Sequence, residues 1–237
     1  MSITIAGLQK MTLLDFPGQV ACTVFLQSCN FRCPFCHNSD LLPKNGEPFM
    51  TADEFLDFLK KRTGLLDAVC VSGGEPTLQK ELPEFLQAIK ALGYKVKLDT
   101  NGFRPEVLKK LTAADLVDHV AMDVKNSPSA YGETVGIFRP DLGKIEESLR
   151  HLMAGTTAYE LRTTVVSQLH SEQTMEEMGK WLSTLLPGKK PAKLFLQCFV
   201  DRESVLQSGL SSPTDEQLQK YVSILAPYVD SVTIRGT

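Results

Sequence analysis

The sequence lacks any excess of basic residues: 25 Lys and Arg stand against 28 Asp and Glu in 237 residues, a formal net charge of −3. A chain so balanced has no stripe of positive charge to follow a phosphate backbone, so nucleic acid is not an expected partner. It also lacks an apolar run approaching the ~20 residues of a membrane span, so no membrane partner is expected either. No basic segment precedes an apolar one in Met1-Ser2-Ile3-Thr4-Ile5-Ala6-Gly7, so no export signal is read and a cytoplasmic protein is expected. Internal repeats, low-complexity tracts and long linkers are missing as well. With 43% hydrophobic residues the chain can fill one large core, and residues 1–237 are expected to form a single α/β domain.

Apolar segments and amphipathic segments alternate from Val20 onward, with turn residues between them. Strands are predicted at Val20–Leu26, Ala68–Ser72, Lys95–Thr100, His119–Val124, Glu160–Val166 and Lys193–Phe199, with a short seventh at Ser231–Ile234. Helices are predicted at Ala52–Lys61, Leu82–Leu92, Pro105–Leu111, Lys144–Ala154, Thr174–Leu186 and Asp215–Leu225. Thr51 with Glu54, and Thr214 with Gln217, have the spacing of a capping box. Strands separated by single helices imply right-handed crossovers and a parallel sheet, and about six such units suit a partial (β/α)6 TIM-like barrel. Ligands then gather at the C-terminal ends of the strands. The long connections 125–142 and 200–213 are candidate lids or docking surfaces.

Three of the six cysteines fall within eight positions, in Cys29-Asn30-Phe31-Arg32-Cys33-Pro34-Phe35-Cys36, directly after the first predicted strand. Thiols bunched in that way favour metal ligation over disulfides. Three thiolates leave a four-iron cluster one cysteine short, and an iron without a thiolate can bind a substrate. A structural zinc site completed by His37, Cys22, Cys70 or Cys198 is the competing reading of the spacing. Cys22, Cys70 and Cys198 lie in predicted strands and read as core thiols. Trp181, His119, His151 and His170 read as structural.

Four further segments stand where predicted strands begin or end: Ser72-Gly73-Gly74-Glu75-Pro76, Asp99-Thr100-Asn101-Gly102, Asp123-Val124-Lys125 and, upstream, Asp15-Phe16-Pro17-Gly18. The paired glycines open the main chain to close approach by a ligand. The two carboxylates and the ammonium read either as a site rim or as a solvated ion pair.

Taken with the cysteine spacing and with Phe35 before the last thiol, these segments resemble the radical S-adenosylmethionine (SAM) superfamily. Asp15, Asp99, Asp123, Lys125 and the run Cys36-His37-Asn38 resemble its glycyl-radical-enzyme activases, nearest the activating proteins of anaerobic ribonucleoside-triphosphate reductases. The resemblance implies one 4Fe-4S cluster on Cys29, Cys33 and Cys36, and SAM held at Phe35, His37, Asn38, Gly73, Gly74, Glu75, Asp99, Asn101, Asp123 and Lys125. Asp99 would bind ribose or a monovalent cation, Lys125 the SAM carboxylate, and Asp15 the partner's glycyl peptide. Gln197 stands where an activase has a histidine, and Arg162 points either to SAM or to an ion pair. No ferredoxin-like insert is expected, since no further cysteine block exists. The implied reaction is reductive SAM cleavage followed by removal of a glycine Cα hydrogen, with flavodoxin or ferredoxin as electron donor. Two other readings stay open. One is a radical SAM enzyme acting on a small molecule, like the 7-carboxy-7-deazaguanine synthases. The other is a non-catalytic metal-binding interaction protein.

Overall fold

Apolar runs too short for helices and bounded by turn residues become the buried strands of this protein. In the computed structural model, which describes residue 1, residues 3–42 and residues 48–236, β2 (Ala21–Leu26) and β3 (Ala68–Gly73) are buried almost along their whole length. Strands buried on both faces read as continuous hydrophobic runs, which is the mark of a parallel sheet covered by helices.

The backbone packs as two compact units. The first comprises Met1–Asn30, Asp40–Thr100 and Arg104–Ala121; the second comprises Phe31–Ser39, Asn101–Phe103 and Met122–Thr237. In the first unit β2, β3 and β4 (Lys95–Thr100) run parallel, in chain order, with Leu26 opposite Gly73 and Val71 opposite Leu98. Helices α1 (Ala52–Lys60), α2 (Leu82–Ala91) and α3 (Pro105–Ala113) complete it. Phe55 of α1 and Phe85 of α2 meet with ring centroids 5.7 Å apart in its core.

One strand was not expected. β1 (Ile5–Thr12) pairs antiparallel with β2, with register shifts between Ile5 and Gly7 and between Gln9 and Thr12. Those irregularities explain why it escapes a pattern search, because a strand bent twice in eight residues keeps no clean period of two.

β5 (His119–Asp123) begins in the first unit and ends in the second. There the strand order continues with β6 (Ala158–Val165), β7 (Leu194–Cys198) and β8 (Val232–Arg235), parallel throughout β6 to β8. The helices are α4 (Tyr131–Val135), α5 (Leu142–Ala154), α6 (Glu172–Thr184) and α7 (Asp215–Leu225). The short α4 was missed, lying inside the connection 125–142. α5 and α6 each start two residues earlier than expected, because Asp141 and Ser171 cap them. Glu160 in β6 is buried and takes both Arg235 guanidinium nitrogens, fastening β8.

Both capping boxes read from the sequence are present, at Thr51/Glu54 and Thr214/Gln217. The Thr51 hydroxyl accepts from the Glu54 amide while Glu54 accepts from the Thr51 amide at 2.8 Å. Thr51→Ala is therefore expected to lower stability by about 1 kcal/mol, read as a shift in the urea midpoint at unchanged slope.

Candidate functional site

In the first unit the chain leaving β2 and the chain leaving β3 lie against each other. The Gly74 amide donates to the Leu26 carbonyl at 2.9 Å and the Glu75 amide to the Ser28 carbonyl at 2.7 Å. A Cβ on Gly73 would stand 2.2 Å from the Leu26 oxygen, and one on Gly74 2.0 Å from the Ser28 oxygen. The sequence reading gave that open space to a ligand. On the side where each Cβ would project, it is filled by the main chain that leads into Cys29. Ser28 itself has φ of +77°, a left-handed conformation that costs a non-glycine residue on the order of 1 kcal/mol. Its amide, donating to Leu41, and its carbonyl, taken by Glu75, hold it there.

Glu75 is almost fully buried. Its Oε1 accepts from the Thr77 amide at 3.2 Å, the Thr77 hydroxyl at 2.5 Å and the Thr100 hydroxyl at 2.7 Å, so it ties the end of β3 to the end of β4. Asp99 is paired with Lys97, whose Nζ lies 2.6 Å from Oδ1 and whose side chain is 1% exposed. Sequence reasoning missed Lys97. The signal was its place two residues before Asp99 on one strand, which puts both on the same face. Asp15 takes the Thr23 hydroxyl at 2.5 Å. Beside it Met11, Leu13 and Leu14 are exposed large apolar side chains.

Cys22 and Cys70 are fully buried, and burial pushes both thiols up to about 12, so they are protonated and inert as ligands at neutral pH. They are core residues, as expected. Cys198 is only half-buried, because the end of β7 is not covered.

In the second unit Cys33 is buried and Cys36 half-buried, with the Cys36 amide donating to the Cys33 carbonyl at 3.0 Å. Phe35 is buried, and the Lys125 ammonium lies 5.9 Å from its ring centroid. Lys125 Nζ bonds Asp123 Oδ2 at 2.8 Å, and Arg162 Nε bonds Asp123 Oδ1 at 2.9 Å. Of the two readings of Arg162, the geometry displays the ion pair. Burial works against the Lys125 ammonium, but Asp123 and the nearby Cys33 sulfur outweigh it and hold its affinity for the proton above the ordinary lysine range.

The main chain at Lys125 is fastened by groups that the sequence did not single out for this. His170, read only as structural, accepts from the Val166 amide at Nδ1 and bonds the Lys125 carbonyl through Nε2 at 2.9 Å. Burial lowers its proton affinity. A neutral ring with its proton on Nε2 satisfies both contacts. Asn126 donates to the Leu169 carbonyl and to the Thr134 hydroxyl.

His37 stacks on Phe199 at 5.3 Å between centroids, and its Nε2 lies 2.6 Å from the Val200 carbonyl. Burial lowers its proton affinity, against the pull of that carbonyl. The Ser204 hydroxyl bonds the His37 carbonyl at 2.7 Å, and the Gln207 amide bonds the Pro34 carbonyl at 3.0 Å. The connection 200–213 thus clasps the cysteine loop. Asn38 is half-buried, as is Gln197, and Asn101 is buried with Oδ1 on the Phe103 amide.

The three loop cysteines are reduced, not joined in disulfides. Thiols are the donor chemistry of an iron–sulfur cluster and the Lys125 ammonium is retained near Cys33, so the residue types fit such a group; among the described residues no three ligating side chains are gathered closely enough to hold an ion. Among the described residues no helix is long and apolar enough to cross a membrane.

The profile of the radical SAM superfamily matches residues 23–183. A Methanocaldococcus jannaschii protein, provisionally described as a glycyl-radical enzyme activating enzyme, is 31% identical over 99% of this chain and 97% of its own length. The pyruvate formate-lyase-activating enzyme of Clostridium pasteurianum is 34% identical over 52% of this chain, and the match spans 52% of that enzyme. Among solved structures, Streptococcus suis SuiB superposes with a TM-score of 0.65 at 15% identity, over 89% of this chain and 47% of SuiB. Coproporphyrinogen III oxidase (HemN) from Escherichia coli, described as a radical SAM enzyme, gives 0.61 at 16% identity, over 91% of this chain and 54% of its own. The chain therefore spans about half of each of these two structures, and the likeness is one of fold, a partial TIM-type barrel.

Replacing Lys97 by Met should remove the buried ammonium paired with Asp99 and lower stability by about 3 kcal/mol in urea denaturation. Adding Asp99→Asn should recover part of that loss. A Lys97→Met protein as stable as the wild type would mean that the pair does not hold this layer together.

Proposed function

The chain belongs to the radical SAM superfamily, and from that premise we propose that it activates a glycyl-radical enzyme, with the anaerobic ribonucleoside-triphosphate reductase as partner. The superfamily's cofactors are a 4Fe-4S cluster and SAM. Cys29, Cys33 and Cys36 would hold the cluster, which would supply the electron for the reductive cleavage of SAM that precedes hydrogen abstraction from a glycine Cα.

The observation that carries the class of partner is the near full-length similarity to an activating enzyme. The chain's own residues have roles consistent with it. Lys125, kept cationic by Asp123, is assigned to the SAM carboxylate, and Arg162 positions Asp123 from the other side. Glu75, Asn101 and the Gly73-Gly74 segment are assigned to SAM, as are Phe35, His37 and Asn38 of the cysteine loop. Gln197 is assigned as a further polar contact.

The exposed Met11, Leu13 and Leu14 next to Asp15 suit the docking of a protein partner, since apolar side chains clustered at a surface mark interaction sites. A monovalent cation at Asp99 would have to share a carboxylate that already holds the Lys97 ammonium, so we assign the countercharge there to Lys97 and the ribose to Asp99. Flavodoxin or ferredoxin is the proposed electron donor, and residues 1–237 are proposed to act as one domain.

Anaerobic protein mixed with SAM, dithionite and a candidate reductase should give the doublet of a glycyl radical in electron paramagnetic resonance. SAM cleavage without that signal in any candidate glycyl enzyme would favour a small-molecule substrate instead.

Cys33→Ala should lose the brown chromophore and SAM cleavage together, whereas Cys198→Ala should keep both. A chromophore retained in Cys33→Ala would show that the ligand set is wrong.

A further inference from the structure

Asp99 is the residue to which the family resemblance gives ribose or a monovalent cation, and the residues around it do not fit a free cation. Lys97 stands two positions earlier on β4, on the same face of the strand, with its Nζ 2.6 Å from Asp99 Oδ1. The Lys97 side chain is 1% exposed and that of Asp99 15%, so salt and water screen the pair poorly. The pair carries no net charge to draw in an ion. An alkali cation on the same carboxylate would also lie beside an ammonium of like sign, with little solvent between them.

The row that holds Lys97 keeps the ammonium in place. The parallel register sets Thr23 of β2 beside Cys70 of β3, and Cys70 beside Lys97. Both neighbours are buried, Cys70 as an uncharged thiol. The Asp15 carboxylate, which reaches this row, accepts the Thr23 hydroxyl at 2.5 Å. The charge that answers Lys97 is therefore Asp99, on its own strand. Asp123, in the second unit, is answered in the same manner by Lys125 and Arg162. Both of these aspartates thus carry fixed protein cations. Burying an ion pair costs about as much as its attraction returns, so stability alone does not account for the one at Lys97. What such a pair supplies is a carboxylate held in one place with its charge already balanced.

We propose that Lys97 is a positioning residue that serves Asp99 as a tethered counterion, so that SAM binding needs no alkali metal ion. The inference rests on the assignment of Asp99 to SAM and goes beyond it in stating what that contact requires. An ion from solution occupies a site according to its concentration, whereas an ammonium on the same strand is present in every molecule.

The test uses anaerobically reconstituted protein in potassium, sodium or tetramethylammonium chloride at one ionic strength of about 0.1 M, so that general screening is the same in all three. Thermal midpoints, and SAM dissociation constants from titration calorimetry, are read for wild type, Lys97→Ala and Lys97→Ala/Asp99→Asn. Wild type should give one midpoint and one SAM affinity in the three salts. Lys97→Ala, which vacates the space of the ammonium, should bind SAM about tenfold more tightly, and melt higher, in potassium or sodium than in tetramethylammonium. The double variant should lose that response, because the carboxylate that attracts the ion is gone. A merely structural lysine would lower the Lys97→Ala midpoint equally in every salt.

Wild type that binds SAM more tightly or melts higher in an alkali chloride overturns the inference, as does a Lys97→Ala protein indifferent to the salt; either result leaves SAM binding itself intact. Should Lys97→Ala not fold, the wild-type comparison decides alone, equal values supporting the tethered counterion and an alkali response overturning it. Wild type that binds no SAM in any salt overturns the SAM reading, and the inference with it.

Discussion

A lysine ammonium drawn out of water stays charged only if something answers it, and at Lys125 the answer is the single carboxylate of Asp123. That carboxylate is shared: Arg162 reaches it from β6 while Lys125 reaches it from the end of β5. The arrangement keeps the Lys125 ammonium charged in a largely buried place near Cys33. Much of the second unit serves to keep it there. His170 pins the carbonyl of the same lysine and Asn126 pins the next turn to Thr134 and Leu169, while α4 rests on Arg32. An opposing charge prepared in advance costs no reorganisation when a thiolate or a carboxylate arrives, which is the physical value of building it into the fold.

The first unit solves a different problem, which is to bring two main chains within contact distance. Gly73 and Gly74 matter for what they lack, since any side chain there would strike the backbone between Leu26 and Cys29. The same contact holds Ser28 in its left-handed conformation. The direction in which the cysteine loop departs from β2 is therefore determined partly by residues about 45 positions away, through hydrogen bonds from Gly74 and Glu75. Glu75 carries the coupling onward to Thr100 at the end of β4.

The parallel strands and most helices were legible because burial on both faces and capping chemistry leave direct marks in sequence: unbroken apolar runs such as Val69–Val71, and threonines three residues before Glu54 and Gln217. β1 was not legible, since two register breaks erase its alternation. The cysteine loop, Asp123 and Lys125 were found by type and spacing. What spacing could not show is which group neutralises which. Lys97 and Arg162 belong to the ion pairs of Asp99 and Asp123, and such pairings depend on side-chain reach across a strand or between strands. His170 could be read only as structural for a related reason: its two ring nitrogens bond main-chain groups at Val166 and Lys125, and such contacts leave no mark in spacing.

The clasp of the connection 200–213 on the cysteine loop ends on main-chain carbonyls of Val200, Ser204, His37 and Pro34, reached by the His37 ring, the Ser39 and Ser204 hydroxyls and the Gln207 amide. Side chains at Asp201, Arg202 and Glu203 take no part in it and are exposed. A fastening that draws no hydrogen bond from these three side chains tolerates their substitution. The surface above the cysteine loop can therefore change its charge and shape at these positions without loosening the loop beneath.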